Sequence, residues 1–361
     1  MRVYNFSAGP SMLPLEVLEQ AQRDFVDYQG CGMSVTEMSH RSKQYDDIHT
    51  ECIALLKELM QIPDNYRVLL VQGGASQQFD AIPLNMLTGS GRADYIVTGN
   101  FAKKAYKAAK ALQIGDIHMA ASSEDKTFTY IPTELDLRDN TDYTYITQNN
   151  TIFGTRYTER TMPKLRSGVL VSDISSNILS EPIDVTRYGV LYAGAQKNVA
   201  PAGVTIVIVR EDLITDGVAG CPTMLKWKTQ ADADSLYNTP PCFSIYMAML
   251  NLRNLKKLGG VAEIQKINEY KAGLLYDFID NSDFYTNSVN PADRSMMNVP
   301  FVSPSKELDA KFVAEASKRG LLSIKGHKLV GGMRASIYNA MPVEGVKALI
   351  AFMKEFETEN R

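Results

Sequence analysis

Short apolar runs alternate with helical patterns over residues 66–210, and that alternation leaves few folds open. The runs are Tyr66–Gln72, Asp94–Thr98, Ile117–Ala121, Tyr143–Thr147, Gly168–Ser176, Tyr188–Tyr192 and Val204–Arg210. Runs of this length, bounded by turn residues, read as buried strands. Helices are expected from Gln77 to about Leu87 and from Lys103 to Leu112. Strands alternating with helices build a mostly parallel sheet covered on both faces, an α/β architecture. Ligands of such sheets bind beyond the carboxyl ends of the strands. Ser76, Phe101, Thr151, Asp173 and Lys197 all lie at or just past such ends.

The flanks read differently. Residues 1–14 look irregular, with Gly9-Pro10 and Pro14 as punctuation. An amphipathic helix is expected over Leu15–Tyr28, with Leu15, Leu18, Ala21, Phe25 and Tyr28 on one face, and another from about Tyr45 to Met60. Cys221–Asn238 is polar and loop-like and holds the single tryptophan, Trp227. Asn238-Thr-Pro-Pro241 is rigid and cannot join a sheet interior. Helices over Ser244–Leu258 and Val261–Asn281 are split by Gly259-Gly260. The remainder reads as α+β, with strands near Arg294–Phe301, Leu321–Ile324 and Met333–Tyr338 and helices over Lys306–Arg319 and Val343–Glu357. The expected division is a large unit of residues 15–259 and a small one built from 1–14 and 260–361.

Composition narrows the function classes. A formal net charge of −3 gives no reason to expect nucleic acid or an anionic membrane as partner, whereas a small anion needs only a local pocket. No apolar run is long enough to span a bilayer, and Met-Arg-Val-Tyr-Asn at the start has no apolar signal core. Cys31, Cys52, Cys221 and Cys242 have neither metal-type spacing nor the density of a disulfide framework. No metal is expected, and the reducing cytoplasm is the expected compartment.

Lys197 is the residue most suggestive of chemistry. It sits in Tyr-Ala-Gly-Ala-Gln-Lys-Asn-Val-Ala-Pro-Ala-Gly (192–203), with no other charge between Arg187 and Arg210. Such a lysine is either a turn residue pointing into water or a desolvated amine able to act as a nucleophile or form an imine. Asp173, closing an earlier apolar strand, favours the second reading. A strand-end carboxylate and an isolated lysine fit a pyridoxal phosphate site, the carboxylate on the ring nitrogen and the lysine on the aldehyde carbon. Asp173 alone reads equally as a helix N-cap. Gly73-Gly-Ala-Ser76, between a strand and a helix, offers free backbone N–H groups to an anion, or is simply a tight turn. Phe101 could stack on a flat ring or cap the core. Lys103, Lys104, Lys107 and Lys110 read as a solvated helix face, and His40 and Arg41 as a solvated loop.

Six separated motifs carry a resemblance: Asn5-Phe-Ser-Ala-Gly-Pro10, Ser39-His-Arg-Ser42, Gly73-Gly-Ala-Ser76, Ala193-Gly-Ala-Gln-Lys-Asn198, Asn238-Thr-Pro-Pro241 and Gly331-Gly-Met-Arg-Ala-Ser-Ile-Tyr-Asn339. They span almost the whole chain, which resembles the phosphoserine aminotransferases, fold-type-I pyridoxal-phosphate enzymes of class V. The resemblance implies a seven-stranded, mostly parallel sheet in a large cofactor-binding domain, and a smaller α+β C-terminal domain. It implies that Lys197 carries the cofactor and shuttles a proton, and that Asp173 keeps the ring nitrogen protonated. Ala75, Ser76 and Gln196 would then hold the cofactor phosphate, Thr151 the ring hydroxyl side, and Phe101 the ring face, where relatives often carry tryptophan. Asn238 and Thr239 would reach the cofactor phosphate of a neighbouring subunit, so the resemblance implies a homodimer with shared sites. Arg334 would grip the substrate α-carboxylate. His40, Arg41, His327 and Lys328 would hold a substrate phosphate, with Lys328 where relatives commonly have arginine. The implied reaction is glutamate-dependent amination of 3-phosphohydroxypyruvate to O-phosphoserine, in serine biosynthesis. A phosphorylated four-carbon oxo acid of pyridoxal phosphate biosynthesis is an open second substrate. Rival readings are another class V enzyme, such as an alanine–glyoxylate aminotransferase, or a non-catalytic protein that binds a phosphorylated ligand.

Overall fold

The computed structural model describes residues 2–361. The chain opens with β1 (Tyr4–Asn5), α1 (Leu15–Asp24) and α2 (Lys43–Met60). There follow β2 (Tyr66–Val71), α3 (Gly74–Met86), β3 (Arg92–Val97), α4 (Asn100–Ala111), β4 (Asp116–Ser122) and β5 (Tyr143–Thr147). A small ribbon of β6 (Asn149–Asn150) and β7 (Thr155–Arg156) precedes β8 (Val169–Asp173), β9 (Val190–Gly194) and β10 (Thr205–Arg210). Then come α5 (Trp227–Asp232), α6 (Cys242–Lys257), α7 (Val261–Asp280), β11 (Asn298–Phe301), α8 (Lys306–Lys318), β12 (Leu321–Leu322), β13 (Met333–Ser336) and α9 (Val343–Asn360).

The seven-stranded sheet has the order β2-β10-β9-β8-β5-β3-β4. Only β10 runs against its neighbours; the pairs β9/β8, β8/β5, β5/β3 and β3/β4 are parallel. The near-continuous apolar runs have a simple cause. Along β2, Val68 and Leu70 enter one hydrophobic layer while Leu69 and Val71 enter the other. Both faces of the strand are dry, so neither set of alternate residues can be polar. A third cluster joins α7, α8, α9, β11 and β13 and includes Phe6. The N-terminal segment reaches it because Tyr4–Asn5 pair in parallel with Leu321–Leu322.

Two expectations change. The first helix ends at Asp24, and its buried residues are Val17, Ala21 and Asp24. Leu15, Leu18 and Phe25 remain 50, 36 and 50% exposed. Asp24 can be buried because its Oδ2 accepts from Tyr246 Oη at 2.5 Å and from Gln20 Nε2 at 2.9 Å. That polar clasp onto α6 turns the helix away from its most apolar stripe. The segment 221–238 is also no open loop. It contains α5, where buried Trp227 donates Nε1–H to Gln78 Oε1 at 3.3 Å and takes Asn85 Oδ1 on its backbone N–H at 2.9 Å. Among the described residues, no helix is long and apolar enough to cross a membrane.

Candidate active site

The residues at the carboxyl ends of the strands converge. Register places Asp173 of β8 between Thr147 of β5 and Tyr192 of β9. Its buried carboxylate accepts the Ser175 N–H on Oδ1 at 2.8 Å. β9 ends at Gly194 and β10 starts at Thr205, so Lys197 rides on the intervening turn. Lys197 Nζ donates to Thr151 Oγ1 at 2.8 Å and lies 5.2 Å from the centroid of the Phe101 ring. Burial pushes the amine down, to about 8; the Asp173 carboxylate opposes that fall and the Arg334 charge adds to it.

The turn carrying Lys197 is clamped from several sides. Ser11 N–H donates to Gln196 O at 3.0 Å, and Ser11 Oγ donates to the Lys197 carbonyl. Gly9, at φ +147°, lets the N-terminal strand lie so close that a Cβ there would sit 3.3 Å from Lys197 Cγ. Asn251 Nδ2 bonds the carbonyls of Asn198 and Val199 at 3.0 and 2.9 Å. Asn198 Oδ1 accepts from Asn339 N–H at 3.0 Å, and its Nδ2 donates to Ile178 O at 2.8 Å. Residues from both ends of the chain therefore fix the lysine backbone.

Arg334, on β13, reaches the same place. Its Nη1 donates to the Thr151 carbonyl at 3.3 Å, while its Nε is buried without a partner. A guanidinium with an unused buried donor is a ready carboxylate clamp. His327 stands in the loop just before it. Its Nδ1 accepts from Leu329 N–H at 3.2 Å, which leaves the proton of the neutral ring on Nε2. Burial, then the charges of Arg334, Lys328 and Lys104, hold its imidazole below the usual value.

Gly73 caps α3 in the left-handed conformation with no side-chain cap on the helix N-terminus. Ala75 is half-buried and Ser76 exposed, so first-turn N–H groups are available to an anion. Asn238 lies at the same strand end, its Nδ2 on Gln72 Oε1 at 3.2 Å and its Oδ1 buried without a partner; Thr239 is exposed. His40 and exposed Arg41 are not part of this convergence. Among the described residues, no hydrogen bond or ion pair joins them to Lys197, Asp173 or Arg334. They precede α2, which packs along α6 in parallel, with Glu51 paired to Arg253 and Glu58 to Lys256. The turn holding His40 and Arg41 thus lies toward the Asn238–Pro241 end of α6.

The donor set fits pyridoxal phosphate: an uncapped helix N-terminus for the phosphate, a buried carboxylate for a ring nitrogen, an aromatic face, and an amine of lowered pKa. Sequence reasoning missed Lys104, which lies over the Phe101 ring at 5.7 Å. The available signal was its spacing, three residues after Phe101 on one helix face. It also missed the brace formed by Ser11 and Asn198, the first just past one quoted motif and the second inside another.

Residues 3–349 match the family Aminotransferase class-V. The phosphoserine aminotransferase of Bacillus cereus is 53% identical, over 100% of this chain and 99% of the relative. The solved phosphoserine aminotransferase from Bacillus circulans subsp. alkalophilus superposes with a TM-score of 0.96 at 48% identity, covering 100% of this chain and 99% of that one. The pyridoxal-phosphate-bound phosphoserine aminotransferase from Trichomonas vaginalis gives 0.92 at 37% identity, covering 98% and 100%. With this likeness running through the sheet, the lysine turn and the arginine strand alike, the chain belongs to the phosphoserine aminotransferase family of class-V aminotransferases.

Proposed function

We propose that the chain is a pyridoxal-phosphate-dependent enzyme that transfers the amino group of L-glutamate to 3-phosphohydroxypyruvate, giving O-phospho-L-serine and 2-oxoglutarate for serine biosynthesis. The observation that carries this reading is the single cluster of Lys197, Thr151 and Arg334, with the amine lowered to about 8 and a buried guanidinium donor unused. Bound here, pyridoxal phosphate supplies an electron sink for a carbanion at the substrate α-carbon. Lys197 is the covalent anchor and the group that moves the α-proton; its lowered pKa gives it a larger neutral fraction near pH 8 than an ordinary lysine has. Asp173 would keep the ring nitrogen protonated. Ala75 and Ser76, with Gln196, would hold the cofactor phosphate, Thr151, which accepts from the Lys197 amine, would serve the ring hydroxyl, and Phe101 would offer a stacking surface. Arg334 binds the substrate α-carboxylate, and His327 and Lys328 the far-end phosphate.

His40 and Arg41 complete that phosphate site from a second subunit, and Asn238 and Thr239 cross to the second subunit's cofactor. What supports this is the position of both pairs at the adjacent N-terminal ends of α2 and α6, together with the lack, among the described residues, of any hydrogen bond or ion pair from His40 and Arg41 to Lys197, Asp173 or Arg334. The experiment is the visible absorption of the purified protein, with and without glutamate, followed by addition of 3-phosphohydroxypyruvate. A cofactor band that glutamate bleaches and 3-phosphohydroxypyruvate restores is expected. A band indifferent to both compounds would end the reading.

A further inference from the structure

Phe101 and Lys104 share one face of α4. The Lys104 ammonium lies 5.7 Å from the Phe101 centroid, and the Lys197 amine 5.2 Å from the same centroid. One aromatic ring therefore ties the helix lysine to the lysine of the site. Val330 and Phe101 both pack against one hydrophobic layer, which puts the loop carrying His327 and Lys328 on the same side of the sheet as this ring. The Lys104 charge is felt by the His327 ring together with those of Arg334 and Lys328.

The neighbouring lysines of α4 have other company. Lys103 is paired with Glu124, and Lys110 lies over Tyr106 at 5.4 Å. Lys104 makes no ion pair with a carboxylate among the described residues, and neither do Lys197, His327, Lys328 or Arg334. In a chain of formal net charge −3, that leaves Lys104, Lys328 and Arg334 gathered at one opening with the Asp173 carboxylate, which acts on Lys197, as the counter-charge of the site. Such a gathering repels itself until an anion enters, and it then binds that anion cooperatively with the hydrogen bonds available.

We propose that Lys104 is a substrate-binding residue of this site, which joins His327 and Lys328 on the phosphate at the far end of the substrate. The inference rests on the function proposed above and adds a cation to it from the same chain. It also assigns Lys104 a choice between substrates. A phosphate close to dianionic gains more from an added ammonium than the distal carboxylate of glutamate does.

The test compares Lys104→Gln, Lys104→Arg and, as a control for the general field of the helix, Lys107→Gln, in the cofactor-loaded enzyme. Half-reactions with O-phosphoserine and with glutamate are followed separately, and inorganic phosphate is titrated as a competitor of O-phosphoserine. Lys104→Gln should raise KM for O-phosphoserine by about ten- to a hundredfold, the loss of one charge-assisted contact. It should weaken inorganic phosphate similarly, with kcat nearly kept and a smaller rise for glutamate. Lys104→Arg should restore most of the loss, and Lys107→Gln should match the parent enzyme. If KM for O-phosphoserine is unmoved in Lys104→Gln while the parent enzyme uses that substrate well, the Lys104 assignment is wrong and the proposed function stands. Equal falls in kcat for both donors would mean that Lys104 acts through Phe101, which also overturns the assignment. A parent enzyme inert toward O-phosphoserine overturns both.

Discussion

Lys197 gains its chemistry from the residues around its stem and amine more than from its identity. An exposed lysine is almost wholly charged at neutral pH; this one is brought to about 8 chiefly by burial. Capture of added pyridoxal phosphate by the cofactor-free protein should therefore rise with pH through a midpoint near 8, as the amine loses its proton. Stopped-flow absorbance would show it, and a midpoint near 10 would mean that burial does not set this amine. Borohydride should fix the cofactor on the peptide containing Lys197 and on no other. Asp173→Asn tests the opposite pole of the ring. A neutral amide cannot hold a ring nitrogen protonated, so amino transfer should slow by roughly a hundredfold or more with the fold intact. A near-parental rate with cofactor bound would remove Asp173 from the mechanism.

At the scale of elements, a buried lysine joins α7 to the turn after β13. Lys271 is fully buried and donates to the carbonyls of Ile337, Tyr338 and Met341 at 3.1, 2.8 and 3.0 Å. Burial pulls its amine down, to about 7, yet three acceptors ask for three hydrogens, which only the ammonium has. The same turn presents Asn339 to Asn198, next to Lys197. Lys271→Met should cost on the order of 3 kcal/mol or more, because three buried acceptors lose their donor. Urea unfolding measures it; a loss under about 1 kcal/mol would mean that water replaces the ammonium. This element illustrates where sequence reading stops. The strands of the sheet were legible because burial on both faces forces apolar residues at consecutive positions. Asp173 stood out because it closes such a run, and Lys197 because it is the lone charge on the turn between two of them. Lys271 and Lys104 lie on helices where a charge looks alike whether it meets water, a carbonyl or a substrate. The face of α1 was misread because its apolar stripe is real, while the clasp between Asp24 and Tyr246 depends on a partner more than two hundred positions away. His40 and Arg41 were legible as candidates only through family likeness, since their loop carries no periodicity and lies apart from the cluster around Lys197.

At the scale of the molecule, the proposed sharing of sites makes a measurable statement about pairs of chains. Asn238→Ala/Thr239→Ala should bind cofactor weakly, and Lys197→Ala should be inactive. Mixed after subunit exchange, the two should regain part of the activity, because in some pairs one site keeps both intact contributions. No recovery, once exchange is demonstrated, would argue that each site is built by one chain. A further consequence lies in the pairing of Tyr4–Asn5 with Leu321–Leu322 and the clamp of Ser11 on the lysine turn. Tyr4 and Asn5 leave the ribosome long before Leu321 and Leu322, the strand with which they pair. The seven-stranded sheet can form while synthesis continues, but the bond from Arg334 to Thr151 must wait until residue 334 has emerged. Ser11 and Asn251 can hold the turn carrying Lys197 early, but a nascent chain is expected to lack its Asn339 brace and Arg334, and with them the ability to turn over substrate, until those residues have emerged.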